Sequence, residues 1–131
     1  MATWDDVRVI ATALPEVVEH APNDFRVQKK LVAWERPLRK ADLDALGSAA
    51  PNGDILGVWV PSLDAKEALL ASTPTIYFTT PHFDGYPIVL VRLAKIRKRE
   101  LEAIIVEAWQ ARAPKRALRA RDAAGAGSRR R

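Results

Sequence analysis

Between Asp54 and Pro61 the chain reads Ile-Leu-Gly-Val-Trp-Val, with almost no polar position at either parity. A strand with one face in water alternates polar and apolar residues, whereas a short run that is apolar at both parities suits a central strand covered on both sides. Residues 55–60 therefore ask for neighbouring strands and for a layer of cover above and below them.

The neighbours are legible. Ile88 to Leu93 is a second strongly apolar segment, and TIYFTT (Thr75 to Thr80) is rich in β-branched and aromatic residues. FRVQKKLVAW has two β-like arms, Phe25 to Val27 and Lys30 to Trp34, and reads as a hairpin whose tip, Gln28 and Lys29, is basic. Alternation places Phe25 and Val27 on one face, and Leu31 and Ala33 together on one face of the partner arm.

Cover comes from periodic segments. Thr3 and Asp6 form a capping-box pattern, after which Trp4, Val7, Ile10, Ala11 and Leu14 share a helical face that stops at Pro15. Leu101, Ile104, Ile105, Ala108 and Arg112 follow the same spacing from Arg97 onward, and Pro114 ends that helix. Shorter helices are expected over Ala41 to Gly47 and from a Ser62 cap to about Ala71. The resulting class is α+β, a mostly antiparallel sheet with the N- and C-terminal helices packed on one face. No Gly-rich phosphate loop stands at a strand-to-helix junction, which disfavours a doubly wound nucleotide-binding fold, and no internal repeat is visible.

At 131 residues one domain is expected, assigned to residues 1–114, followed by a basic tail without order over 115–131. The chain has no cysteine, which removes disulfides, thiolate metal sites and a catalytic cysteine. The first residues lack a secretory pattern, and no run approaches the roughly 18 apolar residues that would span a bilayer, so the expectation is a cytoplasmic protein without membrane contact. The formal charge of +5 is unevenly placed. Residues 112–131 hold eight basic side chains against Asp122 alone, while the remainder carries thirteen basic and fifteen acidic groups. The tail is a source of salt-sensitive attraction to polyanions, or else a solubilising end.

Candidate chemistry concentrates in PHFDGYP, Pro81 to Pro87. His82 beside Asp84 resembles acid-base equipment, but a general base needs an oriented partner and a reacting atom within reach. The chain has two histidines, His20 lies in a different segment, and no serine sits in a G-x-S-x-G context. Nor does any spacing resemble a zinc signature. The expectation is thus no enzyme, no metal and no cofactor. His82, Phe83, Asp84 and Tyr86 form a proline-bracketed corner in which Asp84-Gly85 makes the turn and the two aromatics cover a sheet edge.

Basic residues cluster at the first hairpin (Arg26, Lys29, Lys30), after it (Arg36, Arg39, Lys40) and around the last strand-to-helix junction (Arg92, Lys95, Arg97, Lys98, Arg99), the first and last clusters being the candidate site. Cations at a helix start oppose its dipole by a few tenths of a kcal/mol each. With backbone amides they make a phosphate site; the competing reading is a set of solvated faces partly neutralised by Glu100 and Glu102.

VAWERP (Val32 to Pro37), TIYFTTPHFDGYPIVLVRL (Thr75 to Leu93) and ELEAIIVEAWQARAP (Glu100 to Pro114) occur in an order and spacing that resemble the MmcQ/YjbR family of small bacterial proteins. The resemblance implies a CyaY-like α+β fold and a double-wing mode of DNA binding, a label drawn from architecture. One wing would be the hairpin with Arg26, Lys29 and Lys30, the other the hairpin tipped by PHFDGYP. Family members often carry glycine at the first turn, where this chain has Gln28 and Lys29. Frataxin-type iron binding is set aside, because the first helix lacks a dense run of acids. The expected function is low-specificity DNA binding through phosphate contacts from the basic hairpin, the helix start at Arg97 to Arg99 and the arginine-rich tail. The alternative is a protein-interaction or small-ligand module using the aromatic surface of Trp34, Trp59, Phe83 and Tyr86.

Overall fold

In the computed structural model, which describes residues 2–129 and the side chains of residues 2–123, six strands form one antiparallel sheet. In chain order the elements are α1 (Trp4–Thr12), β1 (Val17–Ala21), β2 (Asp24–Val27), β3 (Lys30–Glu35), α2 (Lys40–Leu46), β4 (Ile55–Trp59), α3 (Leu63–Ser72), β5 (Tyr77–Phe78), β6 (Ile88–Arg92), α4 (Lys98–Arg112) and α5 (Lys115–Arg129). The strands lie side by side as β1-β2-β3-β4-β6-β5. β4 is interior, flanked by β3 and β6, as its unbroken apolar run requires. The α+β class with terminal helices on one sheet face is what the structure shows.

Local chemistry explains the ends. Thr3 accepts from the Asp6 amide while the Asp6 carboxylate accepts from the Thr3 amide, starting α1 with two donors satisfied. Ser62 accepts from the Ala65 amide at the start of α3. The Gln28-Lys29 turn joins Val27 directly to Lys30, and both turn residues have positive φ (49° and 70°), as a two-residue hairpin of type I′ demands. Arg26 steadies this turn by donating to the Lys29 carbonyl.

Three features depart from expectation. The first is β1, which adds to β2 although VVEHA carries little strand signal. It is held from outside: Arg8 of α1 makes a bidentate pair with Glu19 and reaches Asn23, whose amide donates back to Glu19. The second is a bulge in β3. Phe25 pairs with Ala33 and Arg26 with Leu31, so Val32 is the extra residue. Val32 and Ala33 both enter the core, and Leu31 turns to the open face, contrary to the expected pairing of Leu31 with Ala33. The third is α5, which occupies most of the segment expected to lack order. Lys115 to Ala123 are mostly strong helix formers, Pro114 accepts the first helical bonds from Ala117 and Leu118, and Ala117 is buried in the core. Arg130 and Arg131, the end of the expected tail, lie outside the described residues.

The sheet separates two apolar clusters. The larger lies under α1 and α4, where Val7, Phe25, Val27, Val32, Val58, Val91, Leu101, Ile105 and Trp109 are buried. Trp109 closes it by donating its indole N–H to the Pro15 carbonyl at 3.0 Å. The smaller lies on the opposite face and joins Ile55, Phe78, Phe83, Ile88 and Leu90 with Trp34, Leu38, Leu46 and Trp59. Within it Trp34 pairs across the ladder with Gly57 and lays its ring on the glycine. A Cβ at residue 57 would stand 2.7 Å from the indole carbon Cζ2. Gly57→Ala should therefore destabilise the fold by about 1–3 kcal/mol in urea unfolding. The cost should shrink in a Trp34→Ala background, and equal losses in both backgrounds would refute this packing.

Candidate nucleic-acid interface

Strand pairing sorts the molecule into two ends. The Gln28-Lys29 turn, Trp59 at the close of β4 and the corner before Ile88 share one end, called here the hairpin end. Asp24, Glu35, Ile55 and Arg92 mark the opposite end. The tips of the two expected wings therefore point the same way.

The second tip is folded back rather than protruding. Pro81–Phe83 makes one 3-10 turn, Phe83 is buried, and Gly85 supplies the positive φ of 80° that returns the chain to β6. Three groups hold Phe83. Trp34 meets it edge to face with ring centroids 6.5 Å apart, the Arg36 guanidinium lies 5.2 Å from its centroid, and the His82 ring stands edge-on at 4.9 Å. Below the corner the buried Lys66 ammonium donates to the Phe83 and Tyr86 carbonyls at 2.7 and 2.9 Å. Burial pulls the Lys66 pKa below its ordinary value, with the Asp84 charge opposing. Arg36 pairs with Asp42 at 3.0 Å, both buried, and Asp42 also accepts from the Arg39 amide at the start of α2. Thus VAWERP and PHFDGYP, distant in sequence, form one packed unit.

This placement bears on both chemical readings of the corner. His82, Asp84 and Tyr86 are exposed, and among the described residues no hydrogen bond reaches the His82 imidazole. Trp34 and Phe83 spend their rings on each other. The hollow beside the corner, about 360 Å³, is lined by Lys66, Glu67, Leu70, Thr79 and Asp84 among others, and by none of Trp34, Trp59, Phe83 or Tyr86.

The eight basic residues singled out from the sequence do not form one surface. Arg26, Lys29 and Lys30 are at the hairpin end; Arg92, Lys95, Arg97, Lys98 and Arg99 are at the opposite one. Several are committed to the fold. Arg26 pairs with Asp24, and Arg92 stacks on Phe78 at 4.5 Å while donating to the Pro74 carbonyl. Lys98 lies 3.5 Å from Asp6, in a hollow that Arg99 and Glu102 also line. The helix start is thus of mixed sign.

The hairpin end is different. Lys29 and Lys30 are exposed, and no described carboxylate pairs with either. Beside them an open groove of about 440 Å³ is lined by Val18, His20, Arg26, Gln28 and Lys29. The start of α5 arrives at the same place. Arg116 makes a bidentate pair with Glu16, and the Arg116 guanidinium first, then the Gln28 side chain, hold the Glu16 carboxyl below its ordinary range. Lys115 and Arg119 are exposed beside this contact. The sequence assigns both to a phosphate-contacting tail without order, whereas the structure carries them on α5; the helix-forming composition after Pro114 was the available signal.

The YjbR family model matches residues 12–111. Uncharacterized protein Rv2570 of Mycobacterium tuberculosis and uncharacterized protein Mb2600 of Mycobacterium bovis are each 58% identical over 123 residues, covering 92% of this chain and 95% of the relative. No solved structure matches. Among the described residues no helix is long and apolar enough to cross a membrane.

The corner's anchor gives a test of its own. Burial opposes ionisation of Asp42, but the Arg39 amide and the Arg36 charge outweigh it and hold the carboxyl below its ordinary value of 3.8. Stability from this group is complete above the unfolded value and is lost as pH falls through the lower folded value. Asp42→Asn leaves Arg36 buried without its partner and should cost about 3–5 kcal/mol at pH 7 in chemical denaturation. The variant should also show a shallower loss of stability in acid, and an unchanged acid limb would contradict the assignment.

Proposed function

Because the chain belongs to the YjbR family, and the relatives it matches carry names that state no activity, we propose its function from its own surface: a non-enzymatic protein that holds DNA through phosphate contacts at the hairpin end of the sheet. The observation that carries this reading is the pair of exposed cations Lys29 and Lys30 beside the groove that Val18, His20 and Arg26 line, with Lys115 and Arg119 exposed on the helix whose Arg116 pairs with Glu16. Ammonium and guanidinium groups presented on a turn and a helix surface suit phosphate oxygens, which fix position without reading sequence. A two-residue turn in the left-handed region is stiff, so Lys29 and Lys30 project from a defined platform rather than a floppy loop.

Net charge supports the placement. The acids outnumber the bases over residues 1–111, so attraction to a polyanion has to come from local grouping, and the basic excess after residue 111 begins where α4 returns to the hairpin end. The mixed-sign helix start at the opposite end contributes less, because Asp6 and Glu102 share its hollow.

Replacing Lys29, Lys30, Lys115 and Arg119 with alanine together should weaken binding of unrelated DNA duplexes alike. It should also reduce the slope of log affinity against log salt by about 0.9 for each phosphate contact removed. Replacing Lys95, Arg97 and Arg99 should leave both quantities near those of the unaltered protein. Fluorescence anisotropy across a salt series reads both, and a four-site variant that binds like the original at every salt concentration would sink the proposal.

A further inference from the structure

We propose that Arg112, stacked on Trp59 midway between the two hairpin turns, is the central phosphate ligand of this surface, a step that rests on the DNA reading above. Trp59 is the last residue of β4, and Arg112 sits in the last turn of α4, which brings it back to the hairpin end. Its guanidinium carbon lies 4.2 Å from the centre of the Trp59 ring. The β2-β3 and β6-β5 hairpins are centred three strand spacings apart, about 14 Å. β4 is the strand at the midpoint of that span.

What distinguishes Arg112 is what it lacks. Four other arginines with restricted exposure are provided for: Arg8 by Glu19, Arg26 by Asp24, Arg36 by Asp42, and Arg92 by the Pro74 carbonyl. Arg112 is half-buried and stacked, yet among the described residues no carboxylate pairs with it, and its Nε–H is buried without an acceptor. Burial also pulls its pKa below the ordinary value, as for a cation whose lost hydration nothing has replaced. A guanidinium lying on an indole keeps its two terminal NH2 groups for a ligand, and stacking fixes their direction in advance. Two parallel N–H groups match two oxygens of a phosphodiester, which an isolated lysine cannot imitate.

The competing account is that Arg112 only roofs Trp59, and two variants of the full chain together with the unaltered protein separate the two. Arg112→Met keeps apolar cover on the indole, Arg112→Lys keeps the charge without the fork, and the unaltered chain labelled with nitrogen-15 reports the Arg112 Nε–H directly by NMR. With a fluorescein-labelled duplex at fixed salt, Arg112→Met should bind about 10- to 100-fold more weakly. Arg112→Lys should fall between, with thermal unfolding of both near that of the original. The Arg112 Nε–H resonance should move on titration with the duplex, and more weakly with inorganic phosphate. If the duplex binds and shifts the Lys29 and Lys30 amides, while Arg112→Met binds equally well and the Nε–H signal stays fixed, Arg112 is a roof and the DNA reading survives. If the unaltered chain binds no duplex at any salt, both fall. Should Arg112→Met fail to fold, the Nε–H titration of the unaltered chain decides alone.

Discussion

The contact between Trp34 and Gly57 sets the geometry of the whole open face. An indole can lie flat across an interior strand only where the neighbouring position has no side chain, and residue 57 is that position. From there the ring presents its edge to Phe83, whose backbone is tied down by Lys66 and whose flank is covered by Arg36. Arg36 in turn engages Asp42, and Asp42 begins α2. A glycine thus lies at the base of a sequence of contacts that ends in a helix and a loop. A buried ion pair in such a chain is weak evidence for net stability, since its desolvation offsets most of the attraction; its effect is to admit one arrangement of corner and helix.

Legibility followed locality. Elements whose signals lie within their own residues, such as the capped α1, the central β4 and the periodic α4, could be read directly. β1 could not, because Val17–Ala21 becomes a strand through Arg8 and Asn23, neither of which belongs to it. The side exchange of Leu31 was likewise invisible: a bulge inserts one residue, and period-two reasoning has no means of sensing it. For the site, residue types were readable but neighbourhoods were not. Arg26, Lys30, Arg97 and Lys98 look equivalent as letters, and strand direction alone puts them at opposite ends. Lys66 gave no sign of being a buried anchor, because a lysine on a short helix usually faces water.

Charge is therefore better understood by occupation than by count. Many of the arginines and one prominent lysine are structural members, satisfied by carboxylates, carbonyls or aromatic faces. What remains for a partner is a smaller set around the first turn and the start of α5. On the proposed reading, this local grouping is what would let a body of near-neutral charge attract a polyanion.

The Trp109 to Pro15 hydrogen bond joins residues 94 positions apart, and this has a consequence for how the chain emerges from a ribosome. The sheet's last strand is complete at Arg92, but β3 and β4, with Val32 and Val58, depend on α4 for part of their cover. Until residues 98–112 clear the exit tunnel, the nascent polypeptide carries a finished ladder with an unroofed apolar side, the kind of intermediate that chaperones shield. Any message that ends before that helix would release a product whose larger apolar cluster has α1 as its cover but lacks α4.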